Sequence, residues 1–226
     1  MTLKNVSECG GNIMDMTNKT LEHFKNKYVG DYLGSNPVHL YQVNRLEMAR
    51  TMAELGFRVG AEVGVAAGDH SKTLCENIPG LVLHCIDPWK QVDGYLSFND
   101  EKLEMWRKEA YSKLVGYDCK FFEETSMEAV KRFKNRSFDF VYIDGAHDFR
   151  HIAEDIYEWF PKVRSGGIIY GHDFINILGG KYPCHVKSVV EAYAISHEIP
   201  QWYLLTKSEV IKEKFSENIP SWMFIC

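Results

Sequence analysis

Residues 58–71 read RVGAEVGVAAGDHS and carry the strongest architectural signal in the chain. An apolar run ends in a turn bracketed by Gly64 and Gly68, and the polar residues that follow open a predicted helix. Glycine reaches backbone angles that other residues avoid, so a glycine turn between a strand and a helix lets a ligand approach the backbone closely. The stretch therefore predicts the first strand–helix unit of a ligand-binding α/β domain.

Strand-type and helix-type segments alternate along the chain outward from this turn. The predicted strands are 58–65, 81–86, 120–122, 138–143, 167–170, 202–206 and 222–225. The predicted helices are 37–55, 71–78, 99–115, 126–133, 150–160 and 185–196. This alternation predicts a Rossmann-like, doubly wound α/β fold with a seven-stranded, mostly parallel sheet. We predict an N-terminal arm, or helical extension, over residues 1–36 and a single domain over residues 37–226.

Composition excludes several classes of protein. The chain has 226 residues, 45% of them hydrophobic, and a formal net charge of −5, which allows one sizeable core and gives no basic footprint for nucleic acid. Its cysteines are scattered without a CxxC pair, which argues against a disulfide framework or a zinc site. They are Cys9, Cys75, Cys85, Cys119, Cys184 and Cys226. No apolar run approaches the length of a membrane span, so we expect a cytoplasmic protein with no membrane partner.

Acidic residues surround the glycine turn and indicate which ligand it binds. Glu62 precedes the turn, Asp69 follows it, and Asp87 ends the next predicted strand, where a carboxylate can accept both hydroxyls of a ribose. The turn does not match GxGxxG, and Asp69 would repel a pyrophosphate at the start of the helix. S-adenosylmethionine carries a sulfonium and an ammonium group and no phosphate, so the acids favour it over a nicotinamide dinucleotide.

The turn resembles the first motif of class I S-adenosylmethionine-dependent methyltransferases, which reads acid-x-Gly-x-Gly-x-Gly. The chain matches at Glu62, Gly64 and Gly68 and has Ala66 where the family usually has glycine. The resemblance implies that the last two strands form an antiparallel hairpin. It also implies cofactor contacts to the ribose, the adenine and the methionine group. These residues are Glu62, Gly64, Ala66, Gly68, Ser71, Asp87, Pro88, Trp89, Thr125, Ser126 and Asp144. For Ser126 the alternative is a helix cap without a role in binding.

A second group of polar residues follows two later strands, in the segments IDGAHDF and YGHDF. Asp144, His147, His172 and Asp173 are expected to meet there, because the carboxyl ends of parallel strands share one edge of the sheet. An alcohol becomes a competent methyl acceptor once a base removes its proton or a metal lowers its pKa. Histidine titrates near neutrality and suits the role of base.

These two segments resemble magnesium-dependent O-methyltransferases that methylate sugars of macrolides and related natural products. The resemblance implies Asp144 and Asp173 as Mg²⁺ ligands and His147 as the general base, with Asp144 and His147 as the catalytic pair. His172 stands where such sites often carry a second acid. The implied partner is a hydroxyl of a small molecule or a glycan sugar, and the sequence leaves a homo-oligomer open.

Other interpretations remain at this stage. His147 and His151 are four residues apart, so with Asp144 or Asp173 they could form a zinc or iron site, although a surface histidine is the commoner outcome. The connections 91–100 and 175–184 contain aromatic residues that could stack on an acceptor or simply pack locally. These residues are Tyr95, Phe98 and Tyr182. An NAD(P)-dependent oxidoreductase and a non-catalytic cofactor-binding protein are the alternative functions.

Overall fold

A computed structural model of the protein describes residues 13–32, 36–92, 98–179, 183–206 and 219–226. Within these ranges one mixed sheet contains eight strands. The strands are β1 (Val38–Tyr41), β2 (Val59–Val63), β3 (Val82–Ile86), β4 (Asp118–Phe122), β5 (Phe138–Ile143), β6 (Val163–Gly171), β7 (Tyr203–Thr206) and β8 (Ser221–Ile225).

Helices connect most of the strands. They are α1 (Ile13–Lys27), α2 (Arg45–Glu54), α3 (Asp69–Asn77), α4 (Asp100–Lys113), α5 (Ser126–Ala129), α6 (Phe149–Trp159) and α7 (Val186–Ser196). Short 3-10 turns follow α5 and α6, at Val130–Arg132 and Phe160–Lys162. Among the helices of the described ranges, none combines the length and apolar character that crossing a membrane requires.

The strand order across the sheet is β1-β7-β8-β6-β5-β2-β3-β4. Strand β8 runs antiparallel to β6 and β7, and the other neighbouring pairs are parallel. The predicted doubly wound α/β fold is confirmed, as is the antiparallel pairing of the last two strands. The order reverses between β2 and β5, and ligands of such sheets bind outside the carboxyl ends of strands at this point.

The predicted helix over residues 37–55 is wrong over residues 37–44. Residues 38–41 form the edge strand β1, which pairs in parallel with β7, so the sheet has one strand more than the seven expected. Val38 and Leu40 are buried while the residues between and after them are half-buried, which is the alternation of a strand. The helix begins only after Asn44, whose side chain accepts a hydrogen bond from the Glu47 amide.

Both faces of the sheet are buried under apolar clusters. The packing fixes the strands, and with them the residues at the strand ends. Phe140 and Tyr142 of β5 belong to the apolar cluster on one face, and Val141 and Ile143 belong to the cluster on the other. Helix α1 packs against β6 and buries Phe24 in the first of these clusters. The boundary between an arm and the domain at residues 36 and 37 stays a prediction.

Candidate active site

The glycine loop between β2 and α3 packs directly against the end of β5. Gly64 has φ +90°, and a Cβ atom there would lie 2.3 Å from the carbonyl oxygen of Asp144. Gly68 also has a positive φ, of +80°. Ala66 adopts φ +48°, a left-handed angle at which an L-residue is strained by about 1–2 kcal/mol. The position where the family motif usually has glycine therefore does require an angle that favours glycine.

Asp87 ties the glycine loop to the end of β3. Its Oδ2 accepts a hydrogen bond from the Ala66 amide at 2.9 Å, and its Oδ1 accepts one from the Trp89 amide at 2.8 Å. Burial raises the pKa of the Asp87 carboxyl, and the backbone hydrogen bonds oppose that shift. The Trp89 indole donates to the Ala66 carbonyl at 2.8 Å and is 5% exposed, beside Tyr111 and Phe121. Trp89 thus lies beneath the loop.

A cavity of about 510 Å³ opens at the carboxyl ends of β2, β3 and β5. Its volume falls within the range typical of small-molecule sites. The predicted site residues in its wall are Gly64, Ala66, Asp87, Pro88, Thr125, Ser126 and Asp144. Phe98 and Trp106 form another part of the wall, with their rings 4.6 Å apart between centroids. Tyr95 and Tyr182, the other aromatic residues singled out in the connections, lie outside the described residues.

Glu62 and Ser71 lie in the core behind the glycine loop, 1% and 0% exposed. The Ser71 hydroxyl donates a hydrogen bond to a Glu62 carboxyl oxygen. Burial raises the pKa of Glu62 to about 8 in spite of this hydrogen bond. The carboxyl therefore holds a proton at neutral pH in the free protein, and a cationic group beside it would favour the ionised form.

Ser126 does not cap helix α5, so that alternative is wrong. The N-cap is Thr125, whose amide donates to the Glu128 carboxylate at 3.0 Å. Ser126 instead donates to Asp155 and accepts from the Trp159 indole at 2.8 Å. Asp155 lines the cavity, and burial raises the pKa of its carboxyl to about 7. The sequence analysis missed Asp155 because the residue lies within an ordinary amphipathic helix pattern.

The second predicted group converges at the ends of β5 and β6. His147 Nε2 lies 3.4 Å from Asp144 Oδ1 and 3.3 Å from Asp173 Oδ2. His172 Nδ1 contacts the other oxygen of Asp173 at 2.8 Å. Arg45, the first residue of α2, donates to Asp144 Oδ2 at 2.9 Å. One imidazole thus lies between two carboxylates, and a guanidinium binds the far side of the first.

The charges in this cluster stabilise one another. Burial alone lowers the pKa of His147, but the carboxylates of Asp144 and Asp173 outweigh it, so the pKa of the imidazole is raised. Burial raises the pKa of Asp144, but His147 and Arg45 outweigh it and hold that pKa at about 2. The two carboxylates therefore stabilise the protonated form of His147, the form that a general base takes once it has accepted a proton.

Asp144, His147 and Asp173 also meet the distance requirement for a metal site. Each offers a ligand atom, and these atoms all lie within 4.8 Å of one another. Two carboxylates suit Mg²⁺, which is bound through oxygen ligands and retained waters. His151 Nδ1 instead contacts Asp148 Oδ2 at 2.5 Å. Among the described residues, the group that could hold a metal ion does not include His151. The alternative of a zinc or iron site that joins His147 to His151 is therefore wrong for the described residues.

The buried carboxyls make the stability of the free protein depend on pH. The pKa values of Glu62, about 8, and Asp155, about 7, lie above their ordinary 4.5 and 3.8. The folded chain thus holds protons that the unfolded chain has released, a contribution that is fully present below pH 3.8 and is lost as pH rises through about 7 and 8. We expect a lower Tm at about pH 8.5 than at about pH 6, since each group adds a slope of about 1.4 kcal/mol per pH unit.

Thermal denaturation of Glu62→Gln over the same pH range checks this expectation. The amide keeps an acceptor for Ser71 but cannot titrate, so the pH dependence of Tm is expected to flatten. Glu101→Gln, on the exposed first turn of α4, is the matched control and is expected to follow the unmodified protein. An identical pH dependence in Glu62→Gln and the unmodified protein would contradict the assignment.

Comparison with known proteins agrees with this geometry. A family model described as "Methyltransferase domain" matches residues 61–174, which include the glycine loop and both polar strand ends. No curated protein matches the chain.

Solved structures with the same fold share little sequence with the chain. The O-methyltransferase TomG from Streptomyces achromogenes, involved in tomaymycin synthesis and solved with S-adenosylmethionine, has a TM-score of 0.57 and 12% identity. The alignment covers 96% of this chain and 90% of TomG. An O-methyltransferase from Bacillus cereus, solved with S-adenosylhomocysteine, has a TM-score of 0.56 and 12% identity, over 96% of this chain and 91% of its own. At this identity the likeness shows the fold alone.

Proposed function

The chain belongs to the methyltransferase-domain family, and from this premise we propose that it transfers a methyl group from S-adenosylmethionine to a hydroxyl of a small molecule or a glycan sugar. The placement of Asp87 carries the proposal. Its carboxylate lies in the cavity wall at the end of β3, one strand from the glycine loop that it holds in place. A carboxylate at this position is suited to accept hydrogen bonds from both ribose hydroxyls of a nucleoside.

The rest of the cavity wall supports a nucleoside cofactor. Gly64 and Gly68 let the loop pass closely beneath a ligand, and Thr125 and Ser126 also line the cavity. The sulfonium and ammonium groups of S-adenosylmethionine suit a site that Asp144 lines, with the carboxyl of Glu62 buried behind the glycine loop. The two structural neighbours are described as O-methyltransferases, one with S-adenosylmethionine and one with S-adenosylhomocysteine bound, which favours the same cofactor here.

We assign the role of general base to His147. Its imidazole accepts the proton of the acceptor hydroxyl at Nε2 as the oxygen attacks the methyl carbon. The methyl–sulfur bond breaks in line, and S-adenosylhomocysteine leaves with the electron pair. Asp144 and Asp173, 3.4 and 3.3 Å from Nε2, stabilise the imidazolium that forms. Alignment of donor and acceptor supplies the rest of the acceleration.

We further propose that Asp144 and Asp173 hold a Mg²⁺ ion. Two half-buried carboxylates with an unpartnered imidazole nitrogen between them fit a divalent cation. When bound, such an ion lowers the pKa of an acceptor hydroxyl. The resemblance of the two strand ends to enzymes that methylate sugars of macrolides supports a sugar hydroxyl as the acceptor.

Calorimetry with purified protein tests the proposed cofactor. We expect S-adenosylhomocysteine to bind with micromolar or tighter affinity and NAD to show no heat of binding. Binding of NAD alone would instead favour the oxidoreductase. Binding of S-adenosylhomocysteine without turnover on sugars, phenols or glycans would favour a non-catalytic protein.

Metal removal tests the proposed ion. We expect EDTA to lower turnover by about 10-fold or more, because the acceptor then loses the help of the cation. Added Mg²⁺ should raise Tm, and Asp173→Asn should abolish that rise. Asp118→Asn, an exposed acid on β4, is the control that keeps it. Full activity in EDTA together with a Tm indifferent to Mg²⁺ would rule the ion out and leave His147 as the base.

A further inference from the structure

Three cysteines from three different elements lie together on one face of the sheet. Cys75 is on α3, Cys85 is on β3, and Cys119 is on the edge strand β4. The Sγ atoms of Cys75 and Cys119 are 3.6 Å apart, although the two residues are 44 positions apart in the chain. Cys85 belongs to the apolar cluster of this face, and the other two cysteines pack against it. None of the three lines the cavity, so the cluster is separate from the proposed site.

Two of these cysteines are open to a reagent in solution. Cys75 and Cys119 are half-buried, whereas Cys85 is 0% exposed. Hydrogen bonds from the thiols of Cys75 and Cys85 lower the pKa of the Cys119 thiol and outweigh its partial burial. The thiolate is the form that attacks a disulfide, so Cys119 is the more reactive member of the exposed pair.

The register of the sheet excludes Cys85 as a disulfide partner of Cys119. Cys119 pairs with Leu83 and Cys85 pairs with Phe121, so the two cysteines are offset by two residues on neighbouring parallel strands. Strand spacing and rise per residue then place their Cα atoms about 8 Å apart. A disulfide joins Cα atoms that are no more than about 7 Å apart. Within the cluster, Cys75 is therefore the partner that remains for Cys119.

Cys75 lies on the helix that leads out of the glycine loop. Helix α3 begins at Asp69, directly after Gly68, and Ser71 precedes Cys75 by four residues on the same face of the helix. The two sulfur atoms must approach from 3.6 Å to about 2 Å to form a bond, a change that rotation of both side chains provides. The bond would fasten the helix behind the glycine loop to the edge strand of the sheet.

We propose that Cys75 and Cys119 are a modification site, at which a low-molecular-weight disulfide such as glutathione disulfide forms a reversible bond between them. The thiolate of Cys119 attacks one sulfur of the reagent, whose sulfur–sulfur bond breaks and releases one glutathione thiolate. The thiolate of Cys75 then attacks the Cys119 sulfur of the mixed disulfide and releases the second. Two protein thiols are oxidised, one glutathione disulfide is reduced, and the two thiol protons pass to the released glutathione. The inference does not depend on the proposed methyl transfer.

Peptide mapping of the oxidised protein tests the pair. The protein is reduced, desalted and incubated in native buffer with glutathione disulfide, then blocked with N-ethylmaleimide and digested without reductant. We expect Cys75 and Cys119 in one cross-linked product that has lost two hydrogens, and we expect dithiothreitol to separate the two peptides. Recovery of both cysteines as free thiols, as separate glutathione adducts, or joined to other cysteines would overturn the proposal.

Single substitutions separate the two steps of the exchange. In Cys75→Ser the reaction should stop at the mixed disulfide, so that Cys119 gains one glutathione and forms no cross-link. Cys226→Ser, which removes another half-buried cysteine, is the matched control and should form the cross-link as the unmodified protein does. A Cys75→Ser protein that joins Cys119 to Cys85, or whose Cys119 stays unmodified, would contradict the assignment. The map of the unmodified protein decides the question if a variant fails to fold.

Discussion

Replacing His147 with alanine is expected to lower kcat for methyl transfer by about 100- to 10,000-fold, the usual contribution of a general base. The imidazole Nε2 is buried, has no hydrogen-bond partner among the described residues, and lies between two carboxylates that stabilise its protonated form. Loss of the ring leaves the acceptor proton without a base. Since His147 acts on the acceptor, the affinity for S-adenosylhomocysteine should stay within about 3-fold of the unmodified protein.

Steady-state kinetics and calorimetry on the same preparation measure both quantities. His197→Ala, a substitution just beyond the last helical residue of α7, is the matched control and should retain full turnover. A His147→Ala protein with undiminished kcat would remove the base from the mechanism. A variant that loses cofactor affinity as strongly as turnover would assign His147 to cofactor binding instead.

Replacing Gly64 with alanine is expected to destabilise the protein by about 2–5 kcal/mol and to abolish measurable cofactor binding. The added methyl group would lie 2.3 Å from the Asp144 carbonyl oxygen, and the residue would have to adopt φ +90°. The loop can escape this overlap only by moving away from β5. That movement separates the glycine loop from Asp144, which lines the cavity.

Substitutions at two other glycines separate the destabilisation caused by the backbone angle from that caused by the steric overlap. Gly56 has φ +76° with nothing within 4 Å of an added Cβ, so Gly56→Ala should cost about 1–2 kcal/mol from the backbone angle alone. Gly179 has open space and no left-handed angle, so its substitution should be nearly neutral. Chemical denaturation of the three variants measures the differences. A Gly64→Ala protein as stable as Gly56→Ala would show that the close approach to β5 costs nothing.

The sequence predicted those parts of the fold and the site that depend on local residue composition or on the position of a residue at the end of a strand. The apolar run that became β5 was predicted at its observed bounds, because a short run rich in aromatic and β-branched residues is typical of a central parallel strand. Asp144, His147 and Asp173 were expected together because parallel strands bring their carboxyl ends to one edge. The predicted role of each residue stays a prediction.

What the sequence did not predict depends on distant contacts. Val38–Tyr41 is too short for its alternation to stand out from the helix that follows, and only its pairing with β7 makes it a strand. Arg45 gave no signal because its contact with Asp144 depends on how α2 lies relative to β5. Trp89 was expected among the cofactor contacts, but its indole donates a hydrogen bond to the Ala66 carbonyl and lies beneath the loop.

The edge strand β1 determines where a segment of this protein should begin if it is to be transferred into another protein. Strand β1 pairs with β7, and only three residues separate its end from Arg45. Arg45 donates a hydrogen bond to Asp144 at the end of β5. A graft limited to residues 61–174 would transplant the recognisable motifs yet leave this arginine behind. Engineering by domain exchange should therefore take its upstream junction before residue 38.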